Sequence, residues 1–158
     1  MKGSLVKGLM AITFLLMLPL SVKATAQTGD IIYIDGEKWS LLGKPLNYDD
    51  ELYTKLNEFL PTDREWSTAN WSGYTGCWEI VYGRLYLKKV MVYMYDKILK
   101  KHYEITYDAY DLKELFAPYY TVHGISAEWY SNKDVTAGRG ECIRVINDAY
   151  DRNYAEEL

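Results

Sequence analysis

The sequence is poor in the residues on which most enzyme chemistry relies. It holds two histidines, His102 and His123, and two cysteines, Cys77 and Cys142. None of the four stands at the short spacing of a zinc ligand pair, so no metal site is predicted. The G-x-S-x-G elbow of the serine hydrolases and the Cys-His signature of the thiol enzymes are both missing. Gly138-Arg139-Gly140 is a G-x-G, but it precedes a strand-like run and not a helix, so it reads as a turn and no nucleotide cofactor is predicted. Positive charge is short as well. With 18 Lys+Arg against 22 Asp+Glu the formal charge is -4, and a nucleic-acid partner would need a basic face to displace phosphate counterions.

Aromatic side chains, in contrast, are plentiful: 16 Tyr, 5 Trp and 3 Phe in 158 residues. A disordered acidic chain would lack this apolar surface, so a folded domain is expected. The first segment stands apart from it. Lys2 and Lys7 precede an uncharged apolar run over residues 9–20, followed by Lys23 and Ala24-Thr25-Ala26. This is the three-part layout of a secretory signal peptide ending in a small-residue cleavage pattern. Twelve apolar residues are too few for a helix crossing about 30 Å of hydrocarbon. Residues 1–26 are therefore expected to be removed, leaving residues 27–158 as one domain that is exported, periplasmic or secreted. The loss of three lysines and no acid lowers its formal charge to -7. It contains no second apolar span of 18 residues, so no transmembrane segment is predicted after cleavage.

The pattern of the remaining chain predicts an α+β fold, mainly an antiparallel, curved meander of six to seven strands with two short helices. Residues 30–34 and 38–42 form a hairpin around Asp35-Gly36. Residues 48–60 read as a helix capped by Asn47, with Leu52, Leu56, Phe59 and Leu60 on one face. Residues 74–81 and 84–95 form the longest strand pair, turning at Tyr82-Gly83. In the second of these strands Leu85 and Leu87 are in one phase and Val90, Val92 and Met94 in the other. A β-bulge at Lys88-Lys89 would let both sets face one core. Strands at 101–107, 122–131 and 141–147 follow. A short helix capped by Asp108 carries Leu112, Leu115 and Phe116, and residues 132–140 read as a loop. Cys77 and Cys142 are the disulfide candidate. Their closure would stabilise by roughly 4 kcal/mol in the chain-entropy model, and two unpaired small core residues are the alternative. If their strands were antiparallel neighbours, Glu79 and Arg144 would form a charge pair beside them.

An ordered set of motifs spans the second two-thirds of this domain: Ser67-Thr68-Ala69-Asn70-Trp71-Ser72-Gly73-Tyr74, Trp78-Glu79-Ile80, Gly83-Arg84-Leu85-Tyr86-Leu87, Ala127-Glu128-Trp129-Tyr130-Ser131, Gly140-Glu141, and Tyr150 and Tyr154 ahead of Glu157-Leu158. This set resembles an uncharacterised family of small bacterial proteins. The resemblance implies a shape and a bacterial origin, and no activity.

Three readings of function follow from the residues. Trp66, Trp71 and Tyr74 crowd the approach to the main strand pair, and Trp129 and Tyr130 are adjacent on a predicted strand, where one faces out if the other faces in. Exposed Trp and Tyr on a rigid sheet make stacking surfaces for sugars and anchors for proteins. The leading expectation is thus an exported, non-catalytic binding module whose partner is a protein or a glycan. The same aromatics could equally fill strands, where they are favoured. The second reading is a carbohydrate-active hydrolase. Glu79 beside Trp78 and Glu128 beside Trp129 would supply its acid and base, with His123 as a further candidate base. Period-2 alternation alone also places such carboxylates outside and the Trp inside. The third reading is an inhibitor-like or structural exported domain.

Overall fold

The computed structural model describes residues 28–146. The expected signal peptide and the segment bearing Tyr150 and Tyr154 lie outside the described residues.

Among the described residues nine strands form one mixed, open sheet: β1 (Asp30–Ile34), β2 (Glu37–Leu41), β3 (Thr75–Val81), β4 (Arg84–Asp96), β5 (Lys101–Asp108), β6 (Tyr120–Thr121), β7 (Gly124–Ser126), β8 (Val135–Arg139) and β9 (Cys142–Ile146). Their order is β6-β7-β4-β3-β1-β2-β8-β9, with β5 also pairing with β4. The described residues hold one α-helix, α1 (Asp50–Phe59), with 3-10 turns at Pro45–Tyr48, Ala117–Tyr119 and Glu128–Tyr130. Among the described residues no helix is long and apolar enough to cross a membrane.

Two tight turns set local register. Asp35 and Gly36 both have positive φ (53° and 80°), as do Tyr82 and Gly83 (50° and 73°). Two successive left-handed residues match the right-handed twist of the strands they join. The sheet departs from the expected antiparallel meander at β1 and β3, which run parallel with Ile31 opposite Cys77 and Ile32 opposite Trp78. The cause is the crossover: after β2 the chain passes through α1 and a long loop before re-entering beside β1 in the same direction.

The phase switch in β4 is a bulge. Cys77 pairs with Lys89 and Trp78 with Leu87, so Lys88 is the extra residue. Leu85 and Leu87 before it, and Val90, Val92 and Met94 after it, all enter one core with Ile32, Ile34, Leu41 and Trp78. The bulge also divides the far edge of β4. Tyr86 and Leu87 pair with β7, while residues from Lys89 onward pair with β5. The bulged backbone is not left unsatisfied, because the Lys88 carbonyl accepts the Ala109 N–H at 2.9 Å.

Helix α1 closes over this core face through Leu52 and Leu56. Its cap is Asp49, whose carboxylate accepts the Leu52 N–H at 2.9 Å, and not the expected Asn47. Asn47 instead accepts the Tyr74 hydroxyl at 2.9 Å. The second expected helix does not form. Leu112 and Phe116 make i to i-4 bonds, but Lys113 bonds Tyr110 at i-3, and the segment runs into Pro118, which has no N–H to give. Leu112 and Phe116 still reach the core. The strand expected over residues 122–131 shrinks to β7 and is followed by a 3-10 turn. Inside the expected loop at 132–140, Val135 and Ala137 face the core and build β8.

The bulge can be tested by length. Deleting Lys88 brings Leu85, Leu87, Val90, Val92 and Met94 into one unbroken period-2 phase and leaves β4 in regular register with β3, so cooperative thermal unfolding is expected to be retained without the bulge. Lys88→Ala keeps the residue count and is expected to cost less than about 1 kcal/mol, since it removes an exposed ion pair.

Candidate functional site

The chemistry of the domain gathers where β1 and β3 begin. Asp30, the first residue of β1, is fully buried. Its Oδ1 accepts the Gly76 N–H at 3.0 Å and its Oδ2 accepts the Trp78 indole N–H at 2.9 Å. The Lys44 Nζ lies 3.5 Å from Oδ1. Lys44 also donates to Asn70 Oδ1 at 3.1 Å, Ser72 Oγ at 2.6 Å and the Tyr74 carbonyl at 3.0 Å. Gly76 is required there, because a Cβ would stand 2.6 Å from both Asp30 Oδ2 and Trp78 Nε1. Burial pushes the Asp30 carboxyl above its ordinary value, opposed first by Lys44 and then by the Trp78 and Gly76 donors. Burial likewise pulls the Lys44 ammonium down, opposed by Asp30.

This network anchors the loop over residues 61–74. A second cation fixes its other side. Arg64 is buried, donates to Pro61 and Ser72 carbonyls at 2.9 and 3.3 Å, and also bonds Asn57 Oδ1. Its guanidinium lies 4.5 Å from the centre of the Trp66 ring. Gly73, at φ +64°, leaves the room it needs: a Cβ there would meet Arg64 Nε at 2.8 Å. The Glu65 N–H donates to the Tyr93 carbonyl at 2.8 Å and ties the loop to β4.

The loop and the sheet face opposite the core enclose a groove of about 430 Å³. Ile31 of β1, Thr75 of β3 and Tyr93 of β4 line it from the sheet, and Glu65, Trp66 and Asn70 line it from the loop. This volume falls in the range of small-ligand sites. Trp66 is 55% exposed although Arg64 holds it. The Glu65 carboxylate lies 2.9 Å from His102 Nδ1. Burial, and next a hydrogen bond to Glu104, raises the Tyr93 phenol above its ordinary value.

The five aromatics singled out from sequence divide. Trp66 lines the groove. Trp71, 68% exposed, sits on the same loop with its indole N–H donated to the Thr68 carbonyl at 2.7 Å, but it does not line the groove. Tyr74 is fully buried and Tyr130 nearly so. Trp129 is half-buried against Phe116, Tyr119 and Trp78 and donates to the Pro45 carbonyl at 3.0 Å. The alternation argued for Trp129 and Tyr130 fails because both lie in a 3-10 turn, where successive side chains do not oppose each other.

Glu79 and His123 each neighbour Tyr86. Glu79 and Ser126 flank Tyr86 in register, the His123 ring lies 5.8 Å from the Tyr86 ring, and the Ser126 hydroxyl reaches Glu128 at 3.5 Å. Lys88 occupies Glu79 at 3.3 Å. Neither Glu79 nor Glu128 lines the groove.

The cysteines do not form a disulfide. Cys77 is buried beside the Met91 sulfur at 3.9 Å and Cys142 is exposed. Their strands are not neighbours: β3 lies between β1 and β4, and β9 pairs with β8. The expected Glu79–Arg144 pair fails for the same reason, and Arg144 bonds Asp35 at 2.9 Å. Burial pushes the Cys77 thiol up.

Asp30, Lys44, Arg64 and Tyr93 were missed in the sequence. Tyr93 carried a signal, as the polar-tipped residue between inward Val92 and Met94. The partnership of Asp30 with Lys44 carried none. Comparison with family models, with curated proteins and with solved structures finds no match for this chain.

Lys44→Met leaves the buried Asp30 carboxyl without its cation and is expected to cost about 3–5 kcal/mol at pH 7. A carboxyl whose folded pKa lies above its unfolded value takes up a proton on folding, so its penalty grows as pH rises past the ordinary value of 3.8. Urea unfolding should therefore show a smaller cost for Lys44→Met at pH 4.5 than at pH 7.

Proposed function

We propose that this chain is a non-catalytic recognition module, acting outside the cytoplasm, whose groove takes a glycan. The observation that carries the reading is the Trp66–Tyr93 groove. It offers an indole held in place by a guanidinium, an apolar floor at Ile31, and polar atoms from Glu65, Asn70 and Thr75. A sugar ring presents an apolar C–H face and a rim of hydroxyls, and this lining complements both. A protein partner fits less well, because the platform is recessed in a concavity. The basic and apolar layout of residues 1–26 supports export.

The hydrolase reading draws less support. Glycoside hydrolysis needs two carboxyl groups facing the same bond. Glu65 is the one carboxylate that lines the groove, and it is held by His102.

The reading is tested by oligosaccharide array and calorimetry on the purified protein. Trp66→Ala should lower affinity for a captured glycan by roughly thirtyfold, the equivalent of about 2 kcal/mol for a lost aromatic anchor. Trp71→Ala, on the same loop but outside the groove, should leave it within about twofold. Equal losses from both, with folding intact, would place the site elsewhere.

A further inference from the structure

We propose that two copies of this chain join edge to edge through β5, making one continuous sheet. Strand β5 pairs with β4 without a break from Lys89↔Asp108 to Asp96↔Lys101, and with no other described strand. Its eight residues, KHYEITYD, contain no proline and form no bulge, two of the devices that stop an edge from pairing, and its charged side chains are placed to meet complementary partners. The free edge is therefore a straight row of backbone donors and acceptors.

The sequence of β5 selects a second copy of itself as the occupant. Across a two-fold axis normal to the sheet, antiparallel strands keep their faces, so each residue must oppose one of the same parity. With Ile105 opposite itself, His102 stands against Asp108 of the other copy, and Glu104 against Thr106. On the core-side face Tyr103 stands against Tyr107. Each copy thus sets an imidazole beside a carboxylate, a hydroxyl on a carboxylate, and an aromatic pair. The neighbouring registers are excluded by charge. Centring on Glu104 puts two glutamates face to face, and centring on Thr106 puts Glu104 against Asp108. Tyr103 is 47% exposed in the single chain, while Ile105 and Tyr107 pack partly on the core. Phe59 extends the apolar row, its ring 5.2 Å from that of Tyr107.

The geometry carries a consequence for the groove. Tyr93 lies opposite Glu104, one strand in from the edge. The joined sheet would present two grooves on one face, their Tyr93 residues about 15 Å apart at ordinary strand spacing. The pairing itself does not depend on what the groove binds.

Sedimentation of the purified protein over roughly 1–100 μM tests the proposal, since a standard weak interface falls in that range. The wild type should pass from monomer to dimer. Thr106→Glu, which sets two glutamates against each other at both ends of the pair, should weaken dimerisation at least tenfold. Thr106→Lys, which sets a cation against Glu104, should strengthen it. Ile105→Cys in a Cys142→Ser background should form a covalent dimer under copper-phenanthroline oxidation, because Ile105 faces its own copy. A wild type that stays monomeric at 100 μM overturns the proposal. So does a dimer indifferent to both Thr106 substitutions, or one that does not cross-link at position 105.

Discussion

The ion pair of Asp30 and Lys44 is the constraint on which the remaining architecture depends. Four separate segments converge on it: the start of β1, the link after β2, the start of β3 and the loop ahead of β3. A buried pair of this kind adds little net stability over a well-packed apolar pair, because desolvating two charges offsets most of their attraction. Its contribution is directional. The Trp78 indole and the Gly76 amide each reach one oxygen of Asp30, while the Ser72 hydroxyl and the Tyr74 carbonyl both meet Lys44, and these bonds together fix the relative placement of β1, β3 and the loop. An aromatic core without such a pin could be packed in several registers. The parallel pairing of β1 with β3 places Asp30 at the head of the pair, where both its oxygens find donors from β3.

The two faces of the sheet then diverge in role. The core face takes Trp78, Leu87, Val90 and the helix, and it tolerates the bulge at Lys88 because the bulge brings both halves of β4 into the same interior. The opposite face carries Tyr93, Glu104 and the Glu79–Lys88 pair, and its floor at Ile31 and Thr75 is left open under the loop. Loop position is set from both sides, by Lys44 through Asn70 and Ser72 and by Arg64 through the Ser72 carbonyl. The proposed sugar platform, Trp66, stands between these anchors. A rigid mount of this kind lowers the ordering entropy that a stacking residue on a free loop would lose on binding.

Local chemistry made parts of this legible in the sequence. Asp35-Gly36 and Tyr82-Gly83 announce their turns because left-handed backbone favours glycine. The change of phase between Leu87 and Val90 announces the bulge, since period 2 cannot otherwise be broken inside a strand. The helix was readable within two residues of its ends. What stayed hidden depends on distant partners. No local signal says that β1 and β3 run parallel, or that Cys77 and Cys142 sit on strands that never meet. Val135 and Ala137 were concealed among turn-forming residues. The aromatics show the limit most clearly: Trp66 and Tyr74 lie on one loop with similar neighbours, yet one is more than half exposed and the other has no exposed surface. Exposure is a property of what covers a side chain, and residue type carries no record of that.

The central claim is that Trp66, mounted by the buried network, is the surface that recognises a glycan. The most direct measurement is an NMR titration of the five tryptophan indole N–H signals with a binding oligosaccharide. The account predicts that the Trp66 signal moves with saturation while the Trp78 signal, locked to Asp30, stays in place. Movement of Trp71 or Trp129 with Trp66 unchanged would contradict it.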